Sequence, residues 1–334
     1  MKRAILINNT KSENHHGCYT VITQIDKFLK KNFIKLVYSH DTNLTFENYL
    51  LFINKKNINF DILIINGEGS LHSSSKKAED IIEIGYWTKK VLKKRVVLIN
   101  SVFQNNNQLL ISKIKAFDLI YVRDKFSQNY LSKNNVECNY APDLVFSYYK
   151  RKKLINSDEI IFTDSVFRNT SHDLFNFYKI FKNAQFVPLS TRPSIYFFKA
   201  YIRFIARYYI LKIPFIFNKY KNIDYEIQKK YLTYRDFINK ISSSKINICA
   251  RYHAIVFSLI FRVPFVALKS NTHKVESLLH EIGLENRLIK IEEIRNINLI
   301  TFSSYSNKEI YLIENFINKS KSKINDMFTK IKKL

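Results

Sequence analysis

Short apolar runs alternate with helix-patterned segments along most of the chain, and this alternation constrains the fold more than any other feature. Phe60–Ile65 reads FDILII, Val96–Ile99 reads VVLI and Leu119–Val122 reads LIYV. Runs that are apolar without alternation are typical of strands buried on both faces, as in parallel sheets. Segments with apolar residues at helical spacing, such as Thr20–Lys31, lie between them. We therefore expect an α/β protein with parallel sheets covered by helices.

The alternation stops in the polar, basic stretch Tyr149–Asp158 (YKRKKLINSD) and then restarts. This interruption predicts a linker between two Rossmann-like domains, 1–150 and 151–305, whose parallel sheets face a central cleft. Residues 306–334 are expected to form a C-terminal helix. In sheets of this kind ligands bind beyond the carboxyl ends of the strands, so the candidate functional residues are sought there.

Charge and cysteine content narrow the function classes. The 334-residue chain has 54 Lys and Arg against 28 Asp and Glu, a net charge of +26. Such an excess favours phosphorylated substrates, phospholipid or nucleic acid. The basic residues are dispersed and form no nucleic-acid-binding motif, so no specific nucleic-acid partner is expected. Three widely separated cysteines indicate neither a disulfide framework nor a zinc ribbon, and no metal or cofactor is predicted.

The cellular location of the protein is predicted from the lengths of its apolar runs and from the composition of one segment. The N-terminal apolar run is too short for a signal peptide, and no run has transmembrane length, which predicts a cytoplasmic protein. Segment 192–221 mixes aromatic, isoleucine and basic residues without an acidic one. It fits either a buried interdomain helix with snorkelling basic side chains or a helix lying on an anionic membrane. We favour the membrane, and so a peripheral protein on the inner membrane.

A glycine loop follows the third predicted strand. The chain has only five glycines, and two of them, Gly67 and Gly69, flank Glu68 in the sequence NGEGSLHSSS. Glycine allows a positive φ or a close backbone approach to a ligand, and the helix beyond offers N–H groups to an anion. Ser70 and His72 lie in the same turn. The alternative is a tight turn before a capped helix, since neither a Walker A loop nor a full dinucleotide fingerprint is present.

A second candidate site lies in the sequence NICARYHAIVFS. Arg251 and His253 follow a predicted strand and begin a predicted helix. Arginine binds phosphate or carboxylate in a bidentate manner, and histidine exchanges protons near neutral pH. The alternative is an arginine that braces the loop and a histidine that caps the helix. Further along, Asn271 and Lys274 lie in a polar turn that suits either an anion or a plain helix start.

A third candidate follows the first strand, in the sequence NNTKSENHHGCYT. We expect a loop at the mouth of the cleft there, with Asn14 and His16 near an acceptor. Adjacent histidines without further ligands at zinc spacing do not favour a metal site.

Together these motifs resemble a known family. The resemblance spans about residues 1–290 and rests on the order and spacing of five short segments. The segments are NHHGC, NGEGSLH, VRDKFSQNYL, APDLVF and ARYHAIVFSLIFRVPFVALKSNTHK. They are similar to the polysaccharide pyruvyl transferase superfamily, whose characterised members have a GT-B-like fold.

The resemblance implies a reaction and roles for several residues. Members of the family move the enolpyruvyl carbons of phosphoenolpyruvate onto two sugar hydroxyls as a cyclic ketal and release phosphate. Arg251 and His253 match the family's Arg-x-His, whose arginine contacts phosphoenolpyruvate, and Arg168 matches a second arginine. The family loop is more often GGG with a downstream aspartate, where this chain has Glu68 and Ser74. His253 is then the expected proton donor and Glu68 the expected base.

Two other functions remain open at this stage. A GT-B glycosyltransferase using a nucleotide sugar, such as a CMP-activated acidic sugar, needs the same anion-binding loops and a carboxylate like Glu68. A basic nucleic-acid-binding module is the non-enzyme alternative. The expected acceptor is a glycan or lipid-linked sugar of the bacterial cell surface.

Overall fold

A computed structural model gives the architecture. It describes residues 1–56, 58–148, 157–190 and 232–334, together with positions 223, 226–227 and 230. The predicted linker lies largely, and the basic segment 192–221 entirely, outside the described residues. The predicted domain boundary at 150 also falls there and stays a prediction.

Within the described residues ten strands form two parallel sheets, as the alternation predicts. The six-stranded sheet has the order β2-β1-β3-β4-β5-β6. Its strands are β1 (Lys2–Asn9), β2 (Ile34–Asp41), β3 (Ile62–Glu68), β4 (Arg95–Ser101), β5 (Leu119–Val122) and β6 (Asn139–Tyr140). The four-stranded sheet has the order β10-β9-β7-β8. Its strands are β7 (Ile160–Phe162), β8 (Ala184–Phe186), β9 (Ile246–Cys249) and β10 (Phe265–Ala267). Every pairing between them is parallel.

Helices connect the strands within the described residues. In the first half they are α1 (His16–Lys31), α2 (Phe46–Lys56), α3 (Lys76–Lys90), α4 (Gln108–Ile114) and α5 (Lys125–Lys133). In the second half they are α6 (Arg168–Phe177), α7 (Tyr234–Ser243), α8 (Tyr252–Phe261), α9 (Lys274–Ile282), α10 (Leu299–Phe302) and α11 (Asn307–Lys333).

Some predicted boundaries are wrong. The sequence pattern predicts a short strand near Val136–Cys138, but the strand lies at Asn139–Tyr140, after a turn through Asn135, whose φ is 54°. The pattern also predicts a helix at Leu174–Phe181, which in the structure begins earlier, at Arg168, and ends in a 3-10 turn. These errors occur at element ends, where capping and turn geometry outweigh apolar periodicity.

The core joins the two sheets. All ten residues of α8 are buried, as expected of a helix that is apolar on every side. Its hydrophobic residues belong to one apolar cluster with residues of α1, of α11 and of the segment after β6. The C-terminal helix α11 returns to the first half of the chain, where Phe328 stacks on Phe28 with ring centroids 4.4 Å apart. Packing of α8 therefore fixes its N-terminus against the strand ends of the six-stranded sheet.

Candidate functional site

The candidate site lies where the N-terminus of α8 meets the carboxyl ends of β3, β5 and β6. Contacts cross from one half of the chain to the other at this point. The Arg123 guanidinium lies 4.7 Å from the centre of the Tyr252 ring. His273 Nε2 lies 3.0 Å from Asp124 Oδ1, and the N–H of His16 donates to the Leu189 carbonyl at 3.1 Å.

A buried ion pair forms the floor of the site. Arg123 Nη1 donates to Asp143 Oδ2 at 2.7 Å, and both side chains are almost fully buried. His253 Nε2 lies 3.4 Å from the same carboxylate oxygen. Burial alone would raise the pKa of Asp143, but His253 and Arg123 outweigh it and lower the pKa to about 2. Asp143 is therefore an anion that holds one arginine and one histidine in place.

Two nitrogen atoms of this cluster retain capacity for a ligand. Within the described part of the chain, neither Arg123 Nε nor His253 Nε2 has a hydrogen-bond partner, although both atoms are buried. Buried donors without partners are costly, so such atoms in a native structure call for an explanation. A bound substrate that completes their hydrogen bonds is consistent with this geometry.

A second arginine is braced by a second buried carboxylate. Arg251 is the N-cap residue of α8. Its Nε donates to Asp164 Oδ2 at 2.7 Å and its Nη2 to the Ser165 carbonyl at 3.1 Å. Burial raises the pKa of Asp164 above its ordinary value, although Arg251 opposes the rise. The two contacts fix the guanidinium plane without enclosing it, since the side chain stays 18% exposed.

The glycine loop differs from the sequence expectation in its backbone. Neither Gly67 nor Gly69 has a positive φ, whereas Glu68 between them has φ 40°. Gly67 is required for space, because a Cβ there would lie 2.3 Å from Ser101 Cβ. A Cβ on Gly69 would lie 3.8 Å from both Arg123 Nη2 and Lys274 Nζ. The backbone of the loop at Gly69 therefore passes close to both cations.

Glu68 is held firmly at the end of β3. Its Oε1 accepts hydrogen bonds from Thr10 Oγ1 at 2.6 Å and Asn66 Nδ2 at 2.9 Å. Its Oε2 accepts from Cys18 Sγ at 3.2 Å. Only 6% of the residue is exposed. The carboxylate thus ties β3 to the start of α1.

The segment NHHGC is the start of a helix and not the expected loop. His15 is the N-cap of α1, and its Nδ1 accepts from the N–H groups of Gly17 and Cys18. A histidine cap is uncommon, which is why periodicity placed the helix start too late. Gly17 lies against His253, since a Cβ on Gly17 would be 2.2 Å from the imidazole Cγ. His16 instead stacks on Phe237 of α7, and burial lowers its pKa to about 4.

Lys274, the first residue of α9, completes the cationic surroundings. Its side chain is buried, and its Nζ donates to Asn271 Oδ1 at 2.7 Å. Burial, followed by repulsion from Arg123 and Arg251, lowers the pKa of Lys274 to about 7. The sequence predicts anion binding by Arg251 and, in a separate turn, by Asn271 and Lys274. The structure brings Arg251 close enough to Lys274 to lower its pKa.

The remaining predicted residues lie around this centre. His72 is half-buried beside the glycine loop, and burial, then Lys274, lowers its pKa. The Ser70 N–H donates to the Gly67 carbonyl at 3.0 Å and closes the loop. Asn14 is exposed before the His15 cap. Arg168 is exposed at the first position of α6, three residues beyond Ser165.

One group has the composition of a metal site. The ligand atoms of His15, Cys18 and His253 lie within 4.8 Å of one another. Burial, then His253 and Arg251, lowers the pKa of His15 well below its ordinary value. Arg251, which disfavours a proton on His15, also disfavours a divalent cation there. The sequence-based expectation that no metal binds here stays a prediction.

Sequence reasoning missed three residues of the site. Arg123, Asp143 and Asp164 follow β5, β6 and β7, at the carboxyl ends of strands. Arg123 and Asp143 stand in the quoted segments VRDKFSQNYL and APDLVF but received no role. Their position after apolar strands, where Rossmann-like sheets bind ligands, was the signal that could have identified them.

Comparisons with solved structures identify the class of fold. S. aureus MnaA, solved with UDP, is 12% identical over 97% of this chain and 97% of that one, with a TM-score of 0.54. A Listeria monocytogenes protein described as a UDP-N-acetylglucosamine 2-epimerase is 10% identical, with a TM-score of 0.52, over 93% and 90% of the two chains. At such identities the likeness shows the fold alone, which is GT-B-like with two Rossmann-like sheets.

The family follows from the sequence. The model of the polysaccharide pyruvyl transferase family matches residues 21–272, three quarters of the chain. The chain therefore belongs to the polysaccharide pyruvyl transferase family and is a transferase of polysaccharide biosynthesis. Among curated proteins no significant match was found. Within the described residues no helix is both long and apolar enough to cross a membrane.

Proposed function

We propose that this transferase moves the enolpyruvyl group of phosphoenolpyruvate onto two hydroxyls of a sugar in a glycan or lipid-linked precursor. The observation that carries the proposal is the convergence of Arg123, Arg251 and Lys274 beside His253 and the glycine loop. Phosphoenolpyruvate carries a phosphate and a carboxylate, and separate arginines suit two anionic groups on one small molecule.

The chemistry requires proton transfers in both directions. One sugar hydroxyl attacks C2 of the enolpyruvyl group while a proton is added to the methylene carbon. The second hydroxyl then attacks C2, phosphate leaves, and both hydroxyl protons are lost. We assign protonation of the methylene carbon to His253, whose buried imidazole lies beside Asp143, with Nε2 3.4 Å from Oδ2. Asp143 stabilises the protonated imidazole because it stays ionised.

Glu68 is the proposed base for the acceptor hydroxyl. Its Oε1 is engaged by Thr10 and Asn66, but its Oε2 accepts only the thiol of Cys18 among the described residues. A thiol is a weak donor, so a sugar hydroxyl can replace it at Oε2. His72 and Asn14, at the rim, are the proposed acceptor contacts together with the start of α1 that includes His16.

Transfer of a sugar from a nucleotide sugar is the second candidate. The observation that favours it is Glu68, a carboxylate inside a loop that is more often all glycine in the family. A GT-B enzyme using a CMP-activated acidic sugar would need such a carboxylate as a base. The same arginines and Lys274 would then bind the nucleotide phosphates.

Ligand binding separates the two candidates. Phosphoenolpyruvate, CMP, UDP and GDP are each titrated into the protein while thermal unfolding is followed, because a ligand at one hundred times its Kd stabilises the fold by about 2.7 kcal/mol. We expect stabilisation by phosphoenolpyruvate and phosphate release when sugar acceptors are added. Stabilisation by a nucleotide and none by phosphoenolpyruvate would favour glycosyl transfer.

Variants of Arg251 locate the ligand. Arg251→Lys keeps the positive charge next to Asp164 but cannot bind an anionic group of the ligand through two nitrogens. The Kd for phosphoenolpyruvate should therefore rise roughly 10- to 100-fold, equivalent to about 1.5–3 kcal/mol. Arg95→Lys is the matched control, because Arg95 is 54% exposed and pairs with Asp118 on the surface. Arg168→Lys tests the second arginine of the proposed donor site in the same assay.

Membrane attachment through segment 192–221 remains part of the proposal. The segment carries basic and aromatic residues without an acidic one, which suits an anionic inner-membrane surface where lipid-linked sugars are assembled. Sedimentation with anionic vesicles should decrease when its lysines and arginines are replaced by glutamine. Unchanged sedimentation would refute the attachment.

A further inference from the structure

Lys274 differs from the two arginines of the site in how its charge is balanced. Arg123 pairs with Asp143 and Arg251 pairs with Asp164, each at 2.7 Å. Within the described part of the chain, Lys274 Nζ donates to the neutral amide of Asn271 and forms no ion pair. Arginine does not lose its proton in proteins, whereas a buried lysine readily does. Lys274 is therefore the cation of this site whose charge depends on what else is bound.

The groups that face Lys274 come from several elements and mostly oppose its charge. Arg123 follows β5 and Arg251 precedes α8, and both repel a protonated lysine. Glu68, at the end of β3, is the carboxylate that acts in the other direction. Cys18 of α1 would act in the same direction as a thiolate, but burial raises the pKa of its thiol well above the ordinary value and keeps it neutral.

The other titratable groups near Lys274 do not balance its charge. Burial lowers the pKa of His15 and of His72, so both are uncharged near neutral pH. On its own helix, Glu276 lies 3.9 Å from Lys269 Nζ, and His273 faces Asp124. With these surroundings the pKa of Lys274 falls to about 7.

We propose that Lys274 loses its proton in the empty site above neutral pH and takes one up again when an anionic donor binds between it and Arg123. The proposal deepens the proposed function, since it concerns the same anion site, but it requires only that the ligand be an anion. Proton uptake gives the site a full positive charge only when a negative one is present. This avoids an unpaired buried cation next to the two paired arginines in the empty protein, which would be costly.

The sign of the pH dependence follows from linkage. The free protein has Lys274 half-protonated at about pH 7, and a bound anion raises that pKa because it favours the charged form. Below about pH 7 the lysine is already charged, so the affinity for the anion does not change through Lys274. Above it, binding must bring a proton from solution, so the affinity falls by up to about tenfold per pH unit until the pKa of the complex is reached.

Sulfate is the first probe, because it does not change charge across this range. Its Kd is measured by calorimetry between about pH 6 and 9 in the wild-type protein and in Lys274→Arg, where the charge is permanent. We expect the wild-type Kd to rise by at least tenfold over this range and the Arg variant to bind with a nearly constant Kd. Titrations in two buffers of different ionisation enthalpy should give uptake of close to one proton per bound sulfate at about pH 8 in the wild type.

Each outcome decides the matter. A wild-type Kd that is constant with pH, or the absence of proton uptake, overturns the proposal whether or not the variant folds. An equal slope in Lys274→Arg assigns the titration to another group and also overturns it. Phosphoenolpyruvate is titrated in parallel. Proton uptake with sulfate and no binding of phosphoenolpyruvate would refute the proposed donor and leave the role of Lys274 supported.

Discussion

Replacement of Asp143 by asparagine should destabilise the protein because it removes the counter-charge of a buried arginine. The Asp143 carboxylate is fully buried, and the Arg123 side chain is 3% exposed. Asp143 Oδ1 also accepts from the N–H of Val145 at 2.9 Å. Asparagine retains the shape and this acceptor, so the substitution changes mainly the charge next to Arg123 and His253.

The expected loss of unfolding free energy has two components, the cost of an uncompensated buried arginine and the contribution of the depressed carboxyl pKa. Removing one partner of a buried pair costs about 3–5 kcal/mol, because the other charge remains buried and uncompensated. The wild-type carboxyl has a pKa of about 2 against an ordinary value of 3.8. That depressed pKa contributes roughly 2 kcal/mol of stability, which is fully present above about pH 4 and is lost as pH falls toward 2.

Urea unfolding is the assay, with Asp26→Asn as the matched control. Asp26 is one-third exposed and lies 4.0 Å from Lys11, so its loss should cost under about 1 kcal/mol. The stability difference between wild type and Asp143→Asn should be constant between about pH 4 and 7 and shrink below pH 4. If Asp143→Asn costs no more than the control, or if the difference persists undiminished on acidification, the buried-pair argument is refuted.

Three further perturbations test other parts of the structure. Gly17→Ala should displace the His253 ring and lower kcat by at least about tenfold. Gly85→Ala, where a Cβ would lie 2.3 Å from a core phenylalanine, should instead lower the free energy of unfolding by about 1–3 kcal/mol. Comparing kcat and melting temperature of the two variants checks this, and parallel losses would contradict it. Arg287→Met should cost about 3–5 kcal/mol, since it leaves a carboxylate at the start of α11 unpaired, without changing phosphoenolpyruvate affinity; urea unfolding and calorimetry measure the two. Cys18 should react with iodoacetamide far more slowly in the folded than in the unfolded protein, because burial raises the pKa of its thiol; equal rates by mass spectrometry would show that the thiol is accessible.

The sequence determined the class of fold and the bounds of several elements. Its patterns predict strands at Leu119–Val122 and Ile246–Cys249 and helices at Tyr252–Phe261 and Lys274–Ile282, and the structure has the same bounds. Each of these is an apolar run or an apolar periodicity, which are local properties of the chain. The two parallel sheets follow from their alternation, and the family follows from the order of its motifs.

The local sequence pattern did not predict the backbone conformation where contacts with other residues determine it. The glycines of NGEGSLH suggested positive φ at Gly67 or Gly69, but Glu68 adopts it. That strain is tolerated because Thr10, Asn66 and Cys18, all outside the loop or at its edge, hold the carboxylate. An unfavourable backbone conformation persists when several surrounding contacts hold it in this way.

The composition of the site was decided only by tertiary structure. Arg123 and Asp143 lie 20 residues apart, and His253 is far beyond both in sequence, yet the three side chains meet. They meet because α8 packs between the two halves of the core and because parallel strands bring their carboxyl ends to one edge. The charge state of Lys274 has the same origin, since its pKa is set by burial and by two arginines from distant segments. A sequence specifies which groups a site can use, whereas their desolvation and mutual repulsion exist only once the chain is packed.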